Sequence, residues 1–263
     1  MIKQKIFDIN IHISTDETFS EYKLNMPCNI DTYKKFIDPS LDFVGGLLVG
    51  LPNVGNYCDQ SFIQKSTELQ LPALAAITNE CLINIDSSMY KIKRMGFLGV
   101  KFHQRLLNID NIDDELKEIA LSCKKYNLVL AICTYQKESE QILKDIKILS
   151  LIEDISSINI KIILMHSGGY RFLDFYDFCS SRRNIILDTS FTLKRYESTE
   201  VINNIIIALN KGKRNIVFGS DFPDYNLSDY SKSLKKITSC IYSKSLTNNF
   251  MYKTAIDFLE INT

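Results

Sequence analysis

The chain has 263 residues, of which 45% are hydrophobic and 24% charged, proportions typical of a globular protein and not of a disordered one. Its 31 basic and 31 acidic residues cancel, so it lacks the positive excess that favours binding to nucleic acid or to an anionic membrane. Its longest apolar runs are strand-sized and its first residues hold no signal-peptide core, so we expect a cytoplasmic protein without a membrane segment.

Eight apolar runs of strand length recur along the chain, and a segment with helical periodicity follows each of them after the first. The predicted strands span 6–12, 43–49, 72–77, 97–102, 128–133, 160–165, 184–188 and 214–219. The predicted helices span 59–69, 87–95, 113–126, 138–149, 173–181, 198–210, 227–243 and 248–259. A period of roughly 30 residues is the size of one strand-helix unit with buried parallel strands. The pattern predicts an α/β protein, a single-domain (β/α)8 TIM barrel over 1–263, with an open doubly wound sheet as the alternative.

Chemically useful side chains close several of these strands. The chain has only three histidines, and each ends an apolar run, while a fourth run ends in an aspartate. In a barrel, the carboxyl ends of the strands meet at one mouth, where active sites lie. Residues expected at this mouth are Asn10, His12, Lys101, His103, Cys133, His166 and Asp221.

Five motifs fall at these strand ends in a consistent order. The first is Asp8-Ile9-Asn10-Ile11-His12, and the others span 99–103, 164–169, 184–190 and 218–223. Together they resemble the metal-dependent amidohydrolase superfamily, in its amidohydrolase-related branch, whose first strand carries Asp-x-His-x-His. The resemblance implies a barrel with one or two divalent metals at its mouth. It also implies that a metal-bound water is the nucleophile and that the strand-8 aspartate, here Asp221, moves its proton.

Two positions depart from the family pattern. Asn10 stands in place of the first strand-1 histidine, and Cys133 stands in place of the strand-5 histidine. An amide oxygen competes poorly with imidazole for zinc, whereas a thiolate is a good zinc ligand. The resemblance therefore implies a divalent-metal site, with zinc as the expected metal, and a site without metal is the alternative. Its ligands would be His12, Cys133, His166 and Asp221, with Asn10 as a weaker donor.

Other residues have more than one interpretation. Asp221 is the expected general base, and His103 or Lys101 is expected to orient the substrate. Cys133 has two further interpretations, as a plain buried thiol and as a nucleophile. Asp188 is expected to stabilise a loop. Three arginines that follow strand ends indicate a carboxylate-bearing substrate, or are simply solvated: Arg105, Arg171 and Arg195.

The sequence thus predicts a metal-dependent hydrolase that cleaves a C–N or C–O bond, or a lactone, in a small-molecule substrate. A family-type decarboxylase is one alternative. A metal-free barrel used for binding or regulation is the other, because a fold alone does not determine function. A homo-oligomer is compatible with the sequence.

Overall fold

The structure is a computed structural model that describes residues 3–14, 28–51, 59–107, 112–135, 141–213 and 215–261. The predicted helix start at 138 and strand start at 214 lie outside the described residues. The strands are β1 (Gln4–Ile11), β2 (Leu41–Val49), β3 (Ala73–Ala76), β4 (Gly99–Phe102), β5 (Val129–Cys133), β6 (Ile162–Met165), β7 (Ile185–Asp188) and β8 (Ile216–Val217). The α-helices are α1 (Ile30–Lys35), α2 (Gln60–Leu69), α3 (Asn79–Ile83), α4 (Ile85–Met95), α5 (Ile112–Tyr126), α6 (Gln141–Ser156), α7 (Phe172–Cys179), α8 (Thr192–Arg195), α9 (Glu200–Asn210), α10 (Ser231–Cys240), α11 (Lys244–Asn248) and α12 (Thr254–Leu259).

The eight strands form one sheet and follow each other in chain order. Neighbouring strands run parallel, as β3, β4 and β5 do. The chain beyond β8 pairs with β1: the Ile9 amide donates to the Phe218 carbonyl at 3.2 Å, and the Asp221 amide donates to the Asn10 carbonyl at 2.9 Å. Because β1 and β8 are the two ends of the strand order, this pairing closes the sheet. The chain folds as the (β/α)8 barrel that the sequence predicted.

The chain divides into two compact units. The first unit is drawn from Met1–Ile11, Ile30–Leu47 and Leu164–Thr263, and the second from His12–Asn29 and Leu48–Ile163, each over its described residues. In the core of the first, the rings of Phe218 and Tyr230 meet edge-on at 5.6 Å. In the core of the second, Phe62 stacks on Phe97 at 6.2 Å. A single domain over 1–263 stays a prediction.

Capping side chains begin two of the helices, and a glycine ends one of them. Asp59 accepts the backbone N–H groups of Ser61 at 3.0 Å and Phe62 at 3.2 Å, and so begins α2. Asn84 accepts the backbone N–H of Ser87 at 3.0 Å and begins α4. Gly96 ends α4 with φ 103°, a conformation that glycine adopts readily, and the chain then enters β4.

The last two predicted helices are interrupted. A 3₁₀ turn over Leu227–Tyr230 precedes α10, and a π-helical turn over Asn249–Lys253 joins α11 to α12. The sequence also does not predict α1, α3 and α8, or α11 apart from its last residue, because helices of four to six residues are too short to show a 3.6-residue period. Among the described helices, none combines the length and the apolar character that crossing a membrane requires.

Candidate active site

The predicted site residues divide between the two units. Each lies at, or shortly after, the carboxyl end of its strand, and none is more than 7% exposed. The first unit holds Asn10, His166 and Asp221, and the second holds His12, Lys101, His103 and Cys133.

The side-chain amide of Asn10 is the centre of the set in the first unit. Its Nδ2 atom donates to Asp221 Oδ1 and to Ser190 Oγ, both at 2.8 Å, and lies 3.5 Å from Asp188 Oδ2. These neighbours accept hydrogen bonds, so they determine which side of the amide is nitrogen. Asn10 Oδ1 has no hydrogen-bond partner among the described residues. A buried acceptor of this kind normally requires a partner, which a bound molecule would supply.

His166 is held through its Nδ1 atom. This atom lies 3.2 Å from the carbonyl oxygen of Ser190 and 3.1 Å from Ser190 Oγ. Because a carbonyl oxygen only accepts, Nδ1 carries the proton of the neutral ring and Nε2 carries the lone pair. The backbone N–H of His166 donates to Asp188 Oδ2 at 3.4 Å. We call Asn10, His166, Asp188, Ser190 and Asp221 the Asn10 network.

Asp188 is a fully buried carboxylate within this network. It accepts the backbone N–H of Ser190 at 2.8 Å, and its other oxygen accepts the Ser190 hydroxyl. Burial raises the pKa of Asp188, and the positive charge of His166 opposes that rise. Asp188 and His166 are thus close enough to interact electrostatically. The sequence predicted that Asp188 stabilises a neighbouring loop and gave Ser190 no role, although Asp188 ends β7 in the way that Asp221 follows β8.

Asp8, the first residue of the strand-1 motif, joins β1 to the chain beyond β8. Its Oδ1 accepts the backbone N–H groups of Ser220 at 2.8 Å and Asn10 at 3.1 Å, and its Oδ2 accepts the Tyr33 hydroxyl at 2.8 Å. Burial raises the pKa of Asp8 to about 7, although the hydrogen bonds act in the opposite direction. With its oxygens engaged in this way, Asp8 positions the backbone of the network.

The backbone of the site is left-handed at four residues that are not glycine. They are His166 (φ 65°), Ser167 (φ 50°), Phe191 (φ 61°) and Asp221 (φ 63°), and each follows β6, β7 or β8 closely. This conformation costs an L-residue about 1–2 kcal/mol. Such positions cluster at functional sites, where the surrounding structure holds them in place.

Gly219 allows the chain beyond β8 to approach the network closely. A Cβ atom built on Gly219 would lie 2.3 Å from Asp188 Oδ1 and 3.0 Å from Ser190 Cβ. No side chain fits at that distance, so the position requires glycine. The glycine of the Phe218–Pro223 motif therefore has a packing role.

Two half-buried rings lie beside the network. Phe191 meets the His166 ring edge-on at 5.8 Å and packs against Tyr225 at 5.6 Å. Burial raises the pKa of Tyr225, and the nearby positive charge of Arg195 opposes that rise. An apolar surface with a cation near it thus adjoins His166.

In the second unit, His12 is also held through Nδ1, which lies 2.5 Å from the Val49 carbonyl oxygen. The lone pair of the neutral ring is therefore on Nε2, the tautomer found both in metal ligands and in general bases. Lys101 and His103 share one face of the chain at the end of β4. Over the part of the chain that the structure describes, His103 Nδ1 has no hydrogen-bond partner.

The thiol of Cys133 lies beside a cation. Arg105 Nη2 is 3.9 Å from Cys133 Sγ, and the guanidinium lies over the Tyr135 ring, 5.1 Å from its centroid. The parallel register of β4 and β5 pairs Phe102 with Ile132, so His103 and Cys133 are the next residues along the two neighbouring segments. Cys133 therefore sits in a positively charged environment.

These contacts do not fit the metal centre that the resemblance implies. Within the described ranges, no group of three or more His, Cys, Asp or Glu side chains could hold a metal ion. Asn10 presents its N–H donors, and not its oxygen, to Asp221. The thiol of Cys133 faces the charge of Arg105, which repels an added cation.

The sequence matches the model of the amidohydrolase family over residues 85–261, more than half of the chain. The chain belongs to the amidohydrolase family. It is accordingly an enzyme of the amidohydrolase superfamily, whose members commonly bind divalent metals. No curated protein matches the sequence.

Solved structures are similar to the amidohydrolase-family chain over nearly its whole length. A probable 2-pyrone-4,6-dicarboxylic acid hydrolase from Acinetobacter baumannii, with citric acid bound, has a TM-score of 0.70 at 15% identity and covers 97% of this chain and 99% of its own. An uncharacterized TIM-barrel protein from Bordetella bronchiseptica has a TM-score of 0.74 at 13% identity, covering 97% and 98%. A 2,6-dihydroxybenzoate decarboxylase from Rhizobium has a TM-score of 0.60 at 13% identity, covering 99% of both chains. At these identities the similarity establishes the fold.

Proposed function

We propose that this protein hydrolyses a C–N or C–O bond at a carbonyl group of a small carboxylate-bearing substrate, and that it does so without a bound metal. The contact between Asn10 Nδ2 and Asp221 Oδ1, at 2.8 Å, carries the proposal. It orients the carboxylate so that its second oxygen serves as a general base. It also engages an oxygen that a metal would otherwise bind.

In the proposed reaction, Asp221 takes a proton from water while the water oxygen bonds to the carbonyl carbon. In its protonated form, His166 donates a hydrogen bond from Nε2 to the carbonyl oxygen as that oxygen becomes negative. The carbon–nitrogen or carbon–oxygen bond then breaks, and the proton on Asp221 passes to the departing amine or alcohol. Asn10 and Ser190 position the two reacting groups.

The surroundings of His166 support a carboxylate-bearing substrate. Phe191 and Tyr225 offer an apolar surface, and Arg195 brings a positive charge near Tyr225. Arg171 is less suitable, because its Nε already donates to Asp174 at 2.7 Å. Lys101 and His103 stay predictions as substrate-orienting residues.

Zinc remains the metal that the family resemblance implies, with His12, Cys133, His166 and Asp221 as ligands. The metal-free route is better supported by the donor amide at Asp221 and by the guanidinium at Cys133. A cytoplasmic location and a homo-oligomeric state also stay predictions from the sequence.

Decarboxylation is a second candidate. Phe191 and Tyr225 form an aromatic surface beside His166, which suits a flat aromatic acid. A decarboxylase would release carbon dioxide from such an acid, whereas the hydrolase would consume water. The two activities are therefore distinguished by their products.

The test is an assay of protein purified without chelators, against carboxylate-bearing lactones, esters and amides and against aromatic acids. We expect acid release from the first group in a pH-stat, equal before and after removal of metals by dipicolinate, with no stoichiometric metal in the protein. Activity that disappears on chelation and returns with zinc would contradict the metal-free route. Carbon dioxide release would favour the decarboxylase, and no turnover with any of these substrates would contradict both candidate activities.

A further inference from the structure

A cavity of about 760 Å³ lies at the opposite ends of β7 and β8 from the Asn10 network. The residues before β7, the residues before β8 and one side of α12 line it, and all belong to the first unit. Its volume is within the range of about 300–1,000 Å³ that is typical of small-molecule sites. In barrels the catalytic site is at the carboxyl ends of the strands, so a ligand here would have another role.

Two buried polar side chains that line the cavity have unsatisfied groups. Asn215 is 5% exposed, and neither Nδ2 nor Oδ1 has a hydrogen-bond partner within the described ranges. Thr254 is equally buried, and its Oγ1 is likewise without a partner there. The carbonyl of Asn215 accepts the Leu187 amide at 2.7 Å, so the sheet fixes its backbone. Leaving a buried polar group unpaired costs about 1–3 kcal/mol, and a ligand with hydroxyl groups would remove that cost.

The lining is also positively charged. Arg182, Arg183 and Lys213 contribute three cations. The carboxylate of Asp257 also lines the cavity, and it already accepts a hydrogen bond from Lys253 at 2.9 Å. Across the described residues, neither Arg183 nor Lys213 forms an ion pair. The excess positive charge favours an anion with more than one negative charge.

Arg182 is held in place beside this cavity. Its Nη1 donates to the Phe178 carbonyl at 2.5 Å, and its guanidinium lies over the Phe178 ring at 4.0 Å from the centroid. A guanidinium that is already ordered loses less entropy when it binds an oxyanion, and its geometry suits phosphate.

We propose that this cavity binds a phosphorylated sugar or polyol. The three cations would hold the phosphate, and the hydroxyl groups would both donate to Asn215 Oδ1 and accept from Nδ2 and from Thr254. Inorganic phosphate alone would leave most of the volume, and the amide of Asn215, without a partner. The proposal is independent of the proposed hydrolase activity.

The test is isothermal titration and thermal unfolding of the full chain with ribose 5-phosphate, inorganic phosphate and ribose, at constant ionic strength. We expect ribose 5-phosphate to bind at least about tenfold more tightly than phosphate and to raise Tm in a saturable way, and ribose to have no effect. Arg183→Gln and Lys213→Gln should each weaken binding about tenfold. Lys211→Gln, which changes an exposed lysine outside the lining, is the matched control and should leave binding unchanged.

Asn215→Leu separates recognition from packing. It removes the unsatisfied amide, so the unliganded protein should be at least as stable, while the preference for ribose 5-phosphate over phosphate should disappear. Asp221→Asn should bind ribose 5-phosphate as the natural protein does, so failure of the hydrolase proposal leaves this result unaffected. The proposal would be overturned if ribose 5-phosphate raised Tm no more than sodium chloride does. It would also be overturned if ribose 5-phosphate raised the Tm of Arg183→Gln and Lys213→Gln as much as that of the natural protein.

Discussion

Asn10 and Asp221 are linked twice. The backbone amide of Asp221 donates to the Asn10 carbonyl at 2.9 Å, and the Asn10 side chain donates to the Asp221 carboxylate at 2.8 Å. The first contact positions the backbone of Asp221 against β1, and the second orients its side chain. The departure from the family motif at position 10 therefore acts directly on the residue that is the proposed base.

Replacing Asn10 by alanine should separate this orienting contact from simple stability. We expect Asn10→Ala to lower kcat by about 10–100-fold and the free energy of unfolding by about 1–3 kcal/mol, because Asp221 loses a buried donor. Asn84→Ala is the control, since it removes a helix cap and should lower stability by about 1 kcal/mol without changing kcat. Equal kcat values in the two variants would contradict a role for Asn10 in orienting the base.

Replacing Asp221 by asparagine should remove the base and keep the fold. The new side-chain oxygen still accepts from Asn10, so we expect the same Tm within a few degrees. We expect kcat to fall by about 10²–10⁴-fold, the usual contribution of general base catalysis. Asp224→Asn, a change at an exposed neighbour, should retain full activity. Retained turnover in Asp221→Asn would remove the proposed mechanism.

The raised pKa of Asp8 predicts how stability depends on pH. Burial raises this pKa from its usual value near 4 to about 7. At pH values between these two, the folded state therefore binds the proton more tightly than the unfolded state does. The contribution is therefore present at low pH and is lost as pH rises through 7. We expect urea unfolding to show a loss on the order of 3 kcal/mol between pH 5 and pH 8, and a smaller loss in Asp8→Asn. Asp42→Asn, at an exposed carboxylate, should behave like the natural protein, and an unchanged slope in Asp8→Asn would refute the assignment.

Zinc titration tests whether the two departures removed a metal site. We expect the natural protein to take up no stoichiometric zinc, because Asn10 turns its N–H donor to Asp221 and the guanidinium of Arg105 lies beside the Cys133 thiol. The double change Asn10→His and Cys133→His adds two imidazole ligands, and it should raise zinc affinity by at least about 100-fold. Stoichiometric zinc in the natural protein, or equal and negligible uptake by both, would contradict this explanation.

Gly219 and Gly212 offer a matched pair of glycine substitutions. A Cβ at Gly219 would lie 2.3 Å from Asp188 Oδ1, whereas at Gly212 (φ 75°) the nearest atom, in Leu246, is 3.8 Å away. We expect Gly219→Ala to cost about 1–3 kcal/mol through overpacking and to lower kcat strongly, because Asp188 must move. Gly212→Ala should cost about 1–2 kcal/mol through backbone strain alone and keep its activity. Full activity in Gly219→Ala would show that the position of Asp188 is unimportant.

The strands and the residues at their ends were predictable because period and chain order alone determine them. Apolar runs indicated β1 to β8, and the candidate site residues that close five of these runs were predicted to lie at the carboxyl ends of their strands. The short helices and the π-helical turn were not predictable from the sequence, because their formation depends on tertiary packing.

The hydrogen-bond pattern of the site was not predictable in the same way. The sequence treated Asn10 as a poor ligand, whereas the structure makes its nitrogen a donor to Asp221. Which amide atom faces the carboxylate depends on Ser190 and Asp188, which follow in the sequence only after about 180 residues. Asp188 can lie at the centre of the Asn10 network only because the chain at Gly219 approaches it closely. No local sequence pattern reveals that approach.

The left-handed residues that follow β6, β7 and β8 show where this barrel carries backbone strain. Glycine would adopt the same backbone at far lower energy, so a scaffold with no chemistry to perform would drift towards glycine there and become more stable. The chain instead carries an imidazole at His166 and a carboxylate at Asp221. A barrel in which these two groups had no use would gain stability from glycine at both positions. Their presence argues that the departures at Asn10 and Cys133 mark a change of chemistry and not its loss.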